Sequence, residues 1–245
     1  MKHILFIVTL GVMLLASHAN AAIIIDRHSQ IVGNGIGVPT QTTDSTDLFA
    51  DFNETLSAFG QPGYVEQYTI SQHSTVGVNG FSLQTSSSGS VTSGNFAGVA
   101  TQTFFQLDFY VTELSLITIS VDYSHPLGGG DGGVGFLFKS VSRTGNQING
   151  NLETYFSYGS GQVPGSFIFS TTLSADPTVG YQMLLNDGDS VDSFGQKPRS
   201  FSFSGQFTAT IAPVPEPTAA ALGGLGVLFM LVYSRNSRSK NRKCA

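Results

Sequence analysis

The chain has 245 residues, a formal charge of −5, one cysteine and no tryptophan. Its ends hide a sharper figure, because residues 22–213 carry 15 acidic and 5 basic side chains, a balance of −10. That charge excludes nucleic acid and anionic polymers as direct partners unless a cation bridges them. The same stretch has no cysteine, so an apolar core rather than disulfides has to hold it.

At the N-terminus, Lys2 and His3 precede an uncharged, mostly apolar run from Ile4 to Leu15, and Ala19-Asn20-Ala21 follows. A charged start, a short apolar stretch and an A-x-A site make a secretory signal peptide, and the run is shorter than the roughly 17–25 residues of a spanning helix. Signal peptidase is expected to read Ala19 and Ala21. The mature chain then begins near Ala22. The expected plan is a signal peptide over 1–21, an ectodomain over 22–212 and a C-terminal segment over 213–245.

Within the ectodomain, residues 23–25, 64–71 and 76–85 are the weaker strand candidates. Residues 46–59 read as its one helix, because Leu48, Phe52, Leu56 and Phe59 recur at helical spacing and Asp47 can cap them. The Gly/Ser/Thr-rich stretch 85–98 reads as a long surface connection. Period-two alternation then dominates. Phe105, Leu107, Phe109 and Val111 share one face; Ile117, Ile119, Val121 and Tyr123 share another. Phe136 with Phe138, Phe167 with Phe169, and Tyr181 with Met183 and Leu185 repeat the pattern. The longest case is 200–211, where Phe201, Phe203, Phe207, Ala209 and Ile211 alternate with Ser, Gln and Thr and Gly205 keeps the register. Turn-rich clusters at 126–133, 145–151, 159–165 and 186–190 separate these runs. The expected fold is all-β: an antiparallel β-sandwich of eight to ten short strands, with a jelly-roll as the candidate topology. A single C-terminal transmembrane helix follows it.

Chemistry-bearing patterns are sparse. His28, His73 and His125 have no H-x-H, H-E-x-x-H or cysteine partner for a transition metal, and no G-x-S-x-G elbow occurs. Asp108, Glu113, Asp122 and Glu153 are the strand-associated acids in which a glycosidase pair would be sought; solvated outer-face residues are the competing reading. Asp187, Asp189 and Asp192 place oxygen ligands on alternate residues around Gly188, as a calcium loop begins. The bidentate Glu of an EF-hand is missing, so an Asx-rich hairpin turn competes with calcium there. Asp131, alone among glycines at 128–133, suits a flexible loop better than a metal cage. Tyr123, Tyr155, Phe156 and Tyr158 are the aromatics that could face a glycan, against placement in the core. No catalytic residue, cofactor or metal is assigned.

The C-terminal segment is more specific. Ile211–Pro217 reads IAPVPEP, residues 218–233 are mostly apolar, and Arg235, Arg238, Lys240, Arg242 and Lys243 follow. Three prolines end the strand ladder in an extended linker. Sixteen residues of helix reach roughly 24 Å, short for a hydrocarbon layer of about 30 Å. The basic tail over 234–245 keeps that end cytoplasmic while the rest is exported.

Val214-Pro215-Glu216-Pro217, the Gly-rich apolar helix and the Arg/Lys tail together resemble the PEP-CTERM sorting signal. The resemblance covers about 30 C-terminal residues, and the chain runs on to Cys244 and Ala245 past the basic cluster. It implies a Gram-negative-type bacterium that makes exopolysaccharide, and processing by an exosortase, a membrane-embedded cysteine protease or transpeptidase. Pro215, Glu216 and Pro217 then form the recognition motif. The catalytic cysteine belongs to the exosortase, so Cys244 has no such role. A plain single-pass anchor with a proline-rich stalk is the competing reading of the same residues.

The expectation is therefore a non-enzymatic protein of the cell surface or extracellular matrix, associated with exopolysaccharide or biofilm. Its precursor sits in the inner membrane, and signal peptidase and exosortase are its processing partners. A glycan-binding module would need a solvent-facing aromatic platform. An extracellular hydrolase would need two carboxylates, or a nucleophile and a base, converging in a cleft.

Overall fold

The computed structural model describes residues 22–60, 66–91, 97–124, 131–158, 165–193 and 199–214, with Gly224, Gly226, Val227, Phe229 and Met230 beyond them. The chain divides into two compact units, one over 20–212 and one joining 1–19 with 213–245. In the latter, the five described positions from 224 to 230 have helical backbone. No helix among the described residues is long and apolar enough to cross a membrane. The expected signal peptide over 1–21, most of the expected span 218–233, Pro215, Glu216, Pro217 and the basic tail lie outside the described residues.

The first unit is two antiparallel sheets. Its strands are β1 (Ala22–Gly35), β2 (Gln41–Ser45), β3 (Phe52–Phe59), β4 (Glu66–Gly77), β5 (Gly80–Val91), β6 (Ala97–Val111), β7 (Ser115–Ser124), β8 (Asp131–Thr144), β9 (Gln147–Tyr158), β10 (Gly165–Leu173), β11 (Val179–Ser193) and β12 (Arg199–Pro213). One sheet has the order β2-β1-β6-β11-β8-β9, the other β10-β7-β12-β5-β4-β3. From β5 onward the chain changes sheet at every step except between β8 and β9.

The alternation expected along β6, β7, β8, β11 and β12 sets their inner faces, and the apolar residues named above for these strands are buried. Phe81 stacks on Phe105 at 5.3 Å, and Phe136 on Phe207 at 6.1 Å, joining the sheets through ring pairs. This aromatic cluster fills most of the sandwich. A smaller one holds Ile31, Tyr68, Ile70, Val99, Val191 and Phe201. Gly33 lies beneath the Tyr68 ring so closely that a Cβ there would stand 2.1 Å from it.

Four local expectations are corrected. Residues 46–59 are not a helix: 52–59 form edge strand β3, paired along its length with β4. A spacing of four is also a multiple of two, so Phe52 and Leu56 share a strand face as readily as a helix face, whereas Phe59 points out and is exposed. Asp47 does accept backbone N–H bonds, from Phe49 at 3.1 Å and Ala50 at 3.2 Å, but as an Asx-type turn. The stretch 85–91 belongs to β5 rather than to a connection, since small Ser, Thr and Gly side chains fit between neighbouring strands β4 and β12. Residues 76–85 are not one strand: a two-residue turn at Val78-Asn79 separates β4 from β5. Gly80 completes it at φ +146, with an added Cβ only 2.0 Å from the Ala209 carbonyl oxygen. Finally, 186–190 is no turn but the middle of β11, paired on both sides. Among the described residues the strands number twelve, against the eight to ten short ones expected.

Candidate functional site

The outer face of the second sheet is built from the polar half of each alternating strand. In register across β3, β4, β5 and β12 run Thr55, Ser71, Ser86 and Ser204, and beside them Asn53, His73, Gln84 and Gln206. Ser71 and Ser86 share a hydrogen bond of 2.8 Å, as do Thr75 and Ser82. On β7, Asp122 accepts a 3.0 Å bond from Ser166. These rows line an open depression of about 580 Å³. Among the described residues of this face there is no Lys or Arg and one carboxylate, Asp122. The surface is a grid of hydroxyl and amide groups, able to donate and accept hydrogen bonds at many points.

The expected site residues are not brought together. His73 lines the depression, whereas His28 lies on the outer face of the other sheet with its ring 5.3 Å from Phe104. His125 is outside the described residues. Asp108 is buried on the outer side of β6, where Gln106 and Gln182 donate to it at 2.9 and 2.8 Å. Burial raises its carboxyl above the usual range, against those two bonds. Glu113 sits in the β6–β7 connection, Asp122 on the far sheet and exposed Glu153 on β9. These four acids form no pair. The aromatic platform is not formed by the expected residues either. Tyr123 is buried, and Tyr155 and Phe156 pack on the core, within 5.5 Å of Phe138 and 4.9 Å of Phe167 respectively. The side chain of Tyr158 is outside the described set.

A second polar cluster lies inside the sandwich, between the two apolar clusters. Arg27 is fully buried; it donates to the Ser74 carbonyl at 3.0 Å, to Ser74 Oγ at 2.7 Å and to the carbonyls of Asp47 and Ala50. That clasp fastens the 46–51 loop to β1 and β4. Further along the same seam, Asp187 and Asp189 point inward from β11 and are 1% and 2% exposed. Burial and the neighbouring Asp189 charge push the Asp187 carboxyl up to about 8. Asp192 belongs to β11, but its side chain lies outside the described set. The inward placement was open to sequence reasoning: 187 and 189 share the parity of Tyr181, Met183, Leu185 and Val191. Thr101 and Thr103 likewise share that of Phe105.

No protein-family model matches the chain, and no curated protein matches it. Among solved structures it is similar to the adhesin domain of Epf from Streptococcus pyogenes, at 10% identity and a TM-score of 0.22. The match covers 75% of this chain and 57% of that one, so the chain spans little more than half of its length. Similarity at that level supports no inference from that protein to this one.

Proposed function

We propose that this is an exported, non-enzymatic protein of the bacterial surface or extracellular matrix, cut at both ends, whose second sheet binds neutral polysaccharide through its outer face. The observation that carries the binding role is the open depression lined mostly by hydroxyls and amides, with no Lys or Arg among its described residues. A neutral glycan offers a matching array of hydroxyls, while the acidic ectodomain repels a polyanion. With no converging pair of accessible carboxylates among the described residues, hydrolysis has no support at this face. We read the strand order β5–β12 as a jelly-roll, since the two four-stranded halves β5-β12-β7-β10 and β6-β11-β8-β9 follow its double Greek-key plan.

Sorting through the C-terminus rests on the sequence signal. β12 ends at Pro213, so a cut within 214–217 leaves the described strands intact. Two experiments test the reading. Full-length protein with Gln84→Ala and Gln206→Ala should lose retention on the host's own neutral exopolysaccharide while the wild type is retained; equal retention removes the face from the function. Glu216→Ala should leave export intact and block loss of the tail, because an anchor has no use for a carboxylate between two prolines, whereas a protease groove can read one. An anti-tail blot of membrane fractions reads the outcome, and normal tail removal in the variant leaves the plain-anchor reading.

A further inference from the structure

A strand at the end of a sheet offers a row of backbone donors and acceptors to another chain. The edge strands of the two sheets are β2 and β9 in one, β10 and β3 in the other. Three of them carry features that discourage further pairing. β2 is five residues long and contains Asp44. β3 contains Glu54, which is exposed. β9 contains Glu153, also exposed, and its register with β8 shifts at three places. Shortness, charge and bulges are the usual means of blocking an edge.

β10 has none of them. Its run GSFIFSTTL contains no charge and no proline. All nine residues pair with β7 in unbroken register, from Gly165 to Leu173. Among the described residues β7 is its one neighbour in the sheet. The outer row of the strand is Ser166, Ile168, Ser170 and Thr172, and Ile168 is 74% exposed. The inner row is incompletely covered: the Phe169 ring packs on Phe156 at 5.3 Å and Phe138 at 6.4 Å, yet stays half-buried. An uncharged alternation of aromatic and β-branched residues is the composition of a strand inside a sheet, not of one left at its edge.

We propose that β10 pairs with β10 of a second copy of this chain, antiparallel about a two-fold axis centred on Phe169. Charge selects this edge: residues 22–213 carry a balance of −10, so two copies repel wherever acidic surfaces meet, and they approach most easily at a strand without charge. Symmetry makes the strand its own complement. Ile168 then lies opposite the partner's Ser170 and diagonal to the partner's Ile168, where both lose contact with water. The pairing occupies the β10 edge of both copies, so assembly closes at two. One strand pair is a small interface, and its dissociation constant is expected at about 10–100 µM, within reach of copies crowded at one surface. Joined in this way, the two six-stranded sheets form one continuous outer face with a depression on either side of the junction. That one polysaccharide bridges both depressions rests on the glycan reading, whereas the pairing does not.

Sedimentation equilibrium of the full-length protein in density-matched detergent tests the pairing without any glycan, so it can fail while the polysaccharide reading stands. From about 1 µM to several hundred micromolar, wild type should pass from one copy to two and grow no further. Ile168→Lys sets a lysine of each copy beside the other at the junction and should weaken association about tenfold or more. Phe59→Lys, at an equally exposed side chain on the far edge of the same sheet, should leave association unchanged. The proposal is overturned by wild type that stays single throughout, by growth beyond two copies, by Ile168→Lys that associates as wild type does, or by Phe59→Lys that abolishes association. Ile168 is exposed, so its variant should keep the wild-type melting temperature; should it not fold, Ser170→Lys in the same outer row makes the same test.

Discussion

One strand, β11, passes through two interiors of opposite chemistry. Tyr181, Met183 and Leu185 lie in the aromatic cluster; two and four residues on, Asp187 and Asp189 lie in the polar seam; Val191 then enters the second apolar cluster. All six side chains point the same way and all are buried. In the first stretch burial itself stabilises, at roughly 25 cal/mol per Å² of apolar surface removed from water. In the second, burial costs free energy unless each oxygen finds a partner. Equal burial therefore does not mean equal contribution, and the seam gives the sandwich a point where solvent conditions act on the interior.

The sharpest way to break the comparison is to empty the aromatic cluster. Phe207 is fully buried and stacks on Phe136 across the sheets. Phe207→Ala should cost about 3–5 kcal/mol, whatever the pH. Urea unfolding measures it, and a loss below about 1 kcal/mol would mean that the ring pairs are not what joins the sheets.

The seam should respond differently, through pH. The folded Asp187 carboxyl keeps its proton up to about 8, whereas an unfolded aspartate releases it near 4. Between those values the folded state binds one more proton. Stability is therefore greatest below about 4, falls by about 1.4 kcal/mol per pH unit as pH rises, and levels off above about 8. From pH 5 to 7 the expected loss is roughly 3 kcal/mol, seen as a falling melting temperature that Asp187→Asn flattens. A slope of the opposite sign, or one that survives Asp187→Asn, would remove Asp187 as its source.

The smallest effect belongs outside. Gln84 and Gln206 are exposed on the outer face of the second sheet, so replacing each by Ala should change stability by no more than about 0.5 kcal/mol while abolishing polysaccharide retention. A large drop in melting temperature would show that the hydroxyl and amide grid supports the sheet rather than a ligand.

Much of the architecture was legible as parity. The alternation of 200–211 predicts the inner face of β12 residue by residue, and 105–111 does the same for β6, because a strand's side chains alternate whatever it pairs with. Where local cues compete, the reading failed. Phe52 and Leu56 satisfy helix and strand spacing alike, and pairing with β4 decided for the strand. The Ser-rich run 85–91 resembles a loop in composition, yet its small residues let β5 lie between β4 and β12. Asn186-Asp187-Gly188-Asp189 has turn chemistry, but two neighbouring ladders outweigh it.

By itself, the sequence determined the β class, the inward and outward sides of most strands and the acidic balance of residues 22–213. These are properties of local period and composition. The tertiary structure alone decided that Ser87 meets Asp189, 102 positions away, and that Thr85 meets Thr103. It also aligned Thr55, Ser71, Ser86 and Ser204 into one row of a polar depression. Parity says which way a side chain points. Which other side chain it faces depends on strand order and on the stacking of one sheet over the other, and both are set by contacts between residues far apart along the chain.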